Sequence, residues 1–182
     1  MSAIIEKKYY TPGEYLELEE KADYKSEYCD GAIVPMTGGT TNHNRIIIDF
    51  CTDLNLALRE QNAEIFSGDV RVWIAQYRLY TYPDIMVVQG QPIYEGTGTT
   101  TITNPGVIIE VLSKSTESYD RGDKFRFYRS IAELKEYILI NQYSYYAEQF
   151  VKTLEGKWIL TEYAEKDAIL TLNSVKFTMS LQ

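Results

Sequence analysis

One histidine, two cysteines and five prolines are all that 182 residues contain of these types. Cys29 and Cys51 are too few for a disulfide scaffold and lack metal-pair spacing, so reduced structural thiols are expected. No Pro/Ser-rich linker, repeat or low-complexity tract divides the chain, and its length fits one domain with a real core. No apolar run approaches the ~18 residues of a membrane span, and Met1 to Tyr10 holds no apolar signal segment. These absences predict a cytoplasmic protein without a membrane partner. Positive charge is scarce too: 18 Lys and Arg face 26 Asp and Glu, a net charge of −8. Bulk, non-specific nucleic-acid binding draws on phosphate neutralisation and calls for the opposite balance. A DNA enzyme stays open only if its site holds a cation or a local basic strip.

What is plentiful is tyrosine, 16 against 6 Phe and 2 Trp. Tyrosine suits core edges, interfaces and nucleic-acid grooves alike, because its ring can be buried while its hydroxyl finds a partner. Thr11-Pro12-Gly13-Glu14 is a capping box with Pro at the first helical position. The helix it starts is expected from Pro12 to about Ala22, with Tyr15, Leu16 and Leu18 as apolar contacts. Lys25–Cys29 and Ala32–Met36 read as a hairpin turned by Asp30-Gly31. After Gly38-Gly39, a loop without the following Gly-Lys-Ser/Thr of a phosphate cradle, Ile46, Ile47, Phe50, Leu54, Leu56 and Leu58 predict a helix from His43 to about Gln61. Strands are expected at Ala63–Phe66, Val70–Ile74, Ile85–Val88 and Val107–Leu112, the last two continuous enough for a sheet interior. Gln89 to Pro105 reads as a covering loop. A helix over Ser118–Ser130 precedes a buried strand at Glu136–Ile140. A hairpin of Tyr145–Thr153 with Lys157–Tyr163 follows, then strands at Ile169–Leu172 and Val175–Met179. This order gives an α/β (α+β) fold, a mixed β-sheet core flanked by helices with an N-terminal helix and hairpin.

Two acids stand inside the apolar strands. Asp84 follows Pro83 at the start of one, and Glu110 lies within the other. A carboxylate in apolar surroundings is costly unless donors or a cation compensate it, and a shared divalent ion is the simplest remedy for two. As bland alternatives, Asp84 is a turn cap and Glu110 half of a buried ion pair. Glu110, Leu112 and Lys114 share a strand face. Asp120, Lys124 and Tyr128 follow at i, i+4, i+8 on one helix face, where Asp120 and Lys124 can pair. If that helix covers the end of the Glu110 strand, Lys124 points at the carboxylates. His43 opens a helix whose N-terminus disfavours the imidazolium, so a neutral ring able to accept a proton or bind a metal is expected. The strip Tyr143, Tyr145, Tyr146 reads as strand packing, a dimer surface or a nucleic-acid platform.

Taken in order, Tyr82-Pro83-Asp84, Glu110-Val111-Leu112-Ser113 with Ser115-Thr116, Asp120-x3-Lys124-x3-Tyr128 and Glu136-Tyr137 resemble the Uma-type putative restriction endonuclease family. This cyanobacterial branch belongs to the PD-(D/E)xK nuclease superfamily. Tyr10-Thr11 through Tyr15, Glu27 with Asp30-Gly31, and His43 match its N-terminal half, so the resemblance covers roughly the whole chain. It implies a restriction-endonuclease-like fold, with Asp84 and Glu110 as ligands of Mg²⁺ or Mn²⁺ and DNA phosphodiesters as substrate. It also suggests Glu27 as an auxiliary acid. The superfamily usually carries Lys two residues after the second acid, where this chain has Leu112. Lys124 is the expected substitute, positioning or deprotonating the attacking water, and Lys114 is a second candidate. A homodimer is expected by analogy with enzymes that cut both strands. The rival reading is a catalytically inactive member of the fold acting as a binding or regulatory protein, favoured by the net charge and by Leu112.

Overall fold

The computed structural model describes residues 8–182; most of the Met1 to Tyr10 segment judged to lack a signal sequence lies outside them. Helix α1 spans Pro12–Glu19. Its capping box closes as expected, Thr11 N–H donating to Glu14 Oε2 at 2.7 Å and Glu14 N–H to Thr11 Oγ1 at 3.2 Å. Tyr15 is buried, but Leu18 faces solvent, because the helix ends before its stripe completes a third turn. Strands β1 (Ser26–Cys29) and β2 (Ala32–Pro35) form the hairpin. Asp30 and Gly31 both adopt positive φ, 41° and 96°, as a tight two-residue hairpin turn of this twist requires.

Helix α2 covers Thr41–Leu58, capped by Thr40, whose Oγ1 accepts from His43 N–H at 3.1 Å. It buries Phe50, Leu54 and Leu58, whereas Leu56, expected in the stripe, is exposed on the far face. Strands β3 (Ala63–Ser67), β4 (Arg71–Ile74), β5 (Leu79–Thr81), β6 (Ile85–Gln89), β7 (Thr101–Ile102) and β8 (Val107–Leu112) follow. A third helical stretch, α3, is continuous through Glu117–Tyr119, a π-helical turn at Asp120–Lys124, and Phe125–Tyr128. β9 (Glu136–Asn141), β10 (Ala147–Lys152), β11 (Trp158–Tyr163), β12 (Ile169–Leu172) and β13 (Phe177–Ser180) complete the described chain.

Two larger sheets result, ordered β2-β1-β5-β4-β7 and β11-β10-β9-β8-β6-β3, with β12-β13 as a separate hairpin. β8–β9 and β4–β7 pair in parallel and the other pairs are antiparallel, so both large sheets are mixed. The six-stranded sheet is covered on both faces, which is why β6, β8 and β9 are apolar almost throughout. On one face Ile85, Val87, Ile109, Val111, Ile138 and Ile140 pack with α2 and the β12-β13 hairpin. On the other Met86, Val88, Ile108, Leu112, Tyr137 and Leu139 pack with α3 and with residues of the five-stranded sheet. Among the described residues no helix is long and apolar enough to cross a membrane.

Candidate active site

The strand period decides which way the two acids point. Asp84 precedes β6 and alternates with Met86 and Val88, so it lies on the α3 side; Glu110 alternates with Ile108 and Leu112 on that same side. The β6–β8 register pairs Ile85 with Ile109, and one further step places Asp84 opposite Glu110. The two residues bracket each other. Val111 N–H donates to Asp84 Oδ2 at 2.7 Å, and Asp84 N–H faces Glu110 Oε2 at 3.3 Å. Pro83, which offers no N–H of its own, precedes this point.

Lys124 enters from α3. Its Nζ lies 2.9 Å from Glu110 Oε1, 3.5 Å from Asp120 Oδ1 and 3.9 Å from Glu27 Oε1. The Tyr128 hydroxyl also donates to Glu110 Oε1, at 2.9 Å. Glu27 arrives from the other sheet: β1 and β5 pair Tyr28 with Tyr80, so Glu27 stands beside Thr81, whose hydroxyl donates to its Oε1. His43, on the first turn of α2, brings Nε2 to 3.2 Å from Asp84 Oδ2. The structure thus gathers Asp84, Glu110, Lys124, Glu27, Asp120, Tyr128 and His43 around one point.

Lys114 is not among them. β8 ends at Leu112, and Ser113 then turns the chain, its Oγ accepting from Thr116 N–H at 3.2 Å. Lys114 is carried out to solvent, its ammonium 5.5 Å from the Tyr143 ring. The face it would share with Glu110 is lost because β8 stops two residues before Lys114. Three contributors went unread in the sequence. Thr81 sits on the unanticipated strand β5, and the Val111 N–H is a backbone group that side-chain patterns do not reveal. Tyr119, whose ring centre lies 5.9 Å from Lys124 Nζ, carries no distinguishing signal. Tyr137, whose hydroxyl donates to the Asp120 carbonyl at 3.0 Å, was at least inside a motif.

The electrostatics of this cluster are those of excess acid. Glu110 is 3% exposed and Lys124 6%. Burial pushes the Glu110 carboxyl up from its ordinary 4.5 to about 8, with Asp84 and Asp120 pushing the same way and Lys124 opposing. Asp120 is raised as well, by burial first. Burial works against charge on Lys124, but Glu110, Glu27 and Asp120 together hold its pKa well above the usual lysine value. It is therefore a fixed cation, which favours the positioning role over that of a base. His43 is also raised, chiefly by its hydrogen bond to Asp84. The shift runs opposite to the one expected of a helix N-terminus, because a carboxylate in contact outweighs the partial charge of a helix end.

Among the described residues no three or more His, Cys, Asp and Glu side chains form a metal-binding group. Two hard carboxylates are nevertheless what Mg²⁺ ordinarily takes from a protein, the remaining positions staying with water and substrate oxygens. The donor set fits that description. Asp84 and Glu110 face each other across adjacent strands, the Asp84 side chain keeps 22% exposure, and the surrounding acid exceeds the available ammonium.

The mixed-sheet α+β core, helices packed on both faces of its larger sheet, is of the restriction-endonuclease-like class. Consistent with this, the fold is similar to the crystal structure of a protein of Anabaena variabilis ATCC 29413 described as "a putative nuclease belonging to DUF820". The TM-score is 0.78 at 20% identity, over 94% of this chain and 95% of that one. The family model described as "Putative restriction endonuclease", Uma2, matches residues 12–182, and the chain belongs to this family. Two proteins of Synechocystis sp. (strain ATCC 27184 / PCC 6803 / Kazusa) are similar to it. "Uncharacterized protein sll1609" is 39% identical over 97% of this chain and 99% of that protein. "Uncharacterized protein slr1290" is 35% identical over 94% and 88%.

Proposed function

We propose that the chain is a divalent-metal-dependent endonuclease that hydrolyses phosphodiester bonds in DNA. One observation carries this reading: Asp84 and Glu110 face each other across β6 and β8 with the Lys124 ammonium 2.9 Å from Glu110. Asp84 and Glu110 would hold Mg²⁺ or Mn²⁺, which supplies Lewis-acid polarisation of the phosphate and lowers the pKa of a bound water. Lys124, held protonated, fixes Glu110 in place and offers positive charge to a phosphate gathering negative charge as it is attacked. Tyr128 holds the same carboxylate oxygen and so orients Glu110. His43 is placed against Asp84 as a proton carrier at the mouth of the site. Glu27, tied by Thr81, completes the acidic wall.

The rival, a binding protein that no longer cuts, drew support from the missing lysine after Glu110. The Lys124 ammonium, 2.9 Å from Glu110, supports the cutting reading against it. The proposal also includes a cytoplasmic setting, one domain over residues 1–182, and a homodimer that presents two such centres to a duplex. Plasmid nicking in Mg²⁺ and in Mn²⁺ tests it, with Asp84→Ala, Glu110→Ala and Lys124→Ala as controls. Metal-dependent nicking lost in the first two and reduced by at least ~10²-fold in the third is expected. Nicking that survives both acid substitutions would overturn the assignment.

A further inference from the structure

The tyrosines of the β9–β10 loop are not used by this chemistry. Tyr143 and Tyr145 stand 58% and 48% exposed on a loop whose backbone is tied at Tyr143 and Tyr146. Tyr143 N–H donates to Asn141 Oδ1 at 2.7 Å, and Tyr146 N–H to the Ser144 carbonyl at 2.8 Å. In a strongly acidic protein, each exposed ring carries an ammonium: Lys114 Nζ is 5.5 Å from the Tyr143 ring centre and Lys166 Nζ 5.9 Å from that of Tyr145. Beside the rings opens a cavity of about 370 Å³, whose walls include Asn42, Ile46, Phe50 and Gln142 along with one carboxylate, Asp49.

The loop is tied to the candidate site. Gln142 Nε2 donates to the Leu112 carbonyl at 2.7 Å, two residues along β8 from Glu110. Asn42, which neighbours His43, donates to the Gln142 carbonyl, and Thr40 to the Gln142 side chain at 2.5 Å. The rings and the acids therefore sit at the same end of the parallel β8–β9 pair.

We infer that Tyr143 and Tyr145, with Lys114 and Lys166, form a stacking platform for unpaired nucleotides of the strand entering the active site. Flat exposed rings accept any base by its face, and flanking ammonium groups pair with the backbone phosphates between bases. This inference takes its substrate class from the nuclease reading, and it adds that the protein prefers single-stranded or locally opened DNA. The positive charge beside the rings comes from two neighbouring turns, Lys114 after β8 and Lys166 between β11 and β12.

The test uses the full chain and a 12-nucleotide single-stranded oligodeoxynucleotide carrying 2-aminopurine, in Ca²⁺ to withhold hydrolysis. Quenching of the probe and binding by anisotropy are measured for wild type, Tyr143→Ala/Tyr145→Ala and Tyr143→Phe/Tyr145→Phe. Expected are quenching in wild type, a loss of affinity of at least about 10-fold in the alanine pair, and retention in the phenylalanine pair, since the ring face rather than the hydroxyl does the stacking. Lys114→Gln should reduce the salt dependence of binding. Equal affinity for the alanine pair, or equal affinity of wild type for duplex and single strand, would overturn the inference. So would a change of sedimentation behaviour in the alanine pair without a change in binding, which would mark the rings as a contact between two copies. Nicking that persists with platform-independent binding sinks the inference alone. Platform-dependent binding without nicking sinks the catalytic reading alone.

Discussion

Replacing Lys124 by methionine removes the only ammonium within salt-bridge reach of Glu110 among the described residues while keeping the length of the side chain. Three carboxylates then face one another in a site where Glu110 and Asp120 are each 3% exposed. Above the pKa of about 8 for Glu110, where its carboxyl is ionised, removing one partner of a buried pair costs about 3–5 kcal/mol, because the remaining charge is left uncompensated. For a chain of this size each kcal/mol moves Tm by about 2–4 °C, so a fall of roughly 6–20 °C is expected in EDTA. Two further measurements separate this argument from simple loss of packing. Divalent cations should restore much of the loss, by about 2.7 kcal/mol at a hundredfold excess over Kd, since they replace the missing charge. Lys124→Met combined with Glu110→Gln should be more stable than the sum of the two single changes predicts, as expected of two groups in contact. The assay is thermal unfolding followed by circular dichroism, with and without Mg²⁺. A Tm unchanged by Lys124→Met, or a double variant whose losses merely add, would refute the reasoning.

Asp84→Asn should abolish Mg²⁺ and Mn²⁺ binding in titration calorimetry while leaving the fold intact, because the amide oxygen still accepts the Val111 N–H; undiminished binding would place the ion elsewhere. Stability without metal should fall with rising pH. The raised folded pKa values of Glu110, Asp120 and His43 all contribute stability that is fully present below the ordinary values and is lost as pH climbs toward about 8 for Glu110. Glu110→Gln should flatten that slope and stabilise the metal-free protein at pH 8, which urea titrations at several pH values would show. Glu136→Ala, on the opposite face of the sheet, should cost about 3 kcal/mol by stranding buried donors, yet leave metal binding unchanged; metal affinity that falls with it would contradict the separation of the two faces.

Much of the architecture could be read from local chemistry alone. The Thr11 capping box, the Asp30-Gly31 turn and the apolar runs of β6 and β8 are each specified within a few residues, and each forms as expected. Asp84 and Glu110 were conspicuous because an acid in an apolar strand has no cheap explanation. What stayed hidden depends on partners distant in sequence. β5 is three residues long and buried on both faces, so it shows no alternation, yet it carries Thr81 and docks the hairpin that delivers Glu27. Lys114 looked well placed only on the assumption that β8 continues past Leu112.

Glu110 and Glu136 show why burial alone does not mark a site. Both are nearly or fully buried acids on neighbouring parallel strands. Glu136 is saturated by neutral donors: Asn173 N–H at 2.9 Å, Ser174 N–H at 2.6 Å and Gln149 Nε2 at 2.7 Å. These pin the turn between β12 and β13, and its charge is thereby spent on structure. Glu110 instead meets two further buried or half-buried acids and a single ammonium, and burial among them pushes its carboxyl up to about 8. An acid satisfied by donors holds a fold together. One left beside other acids costs stability, and such a cost is characteristic of sites whose geometry serves something other than stability.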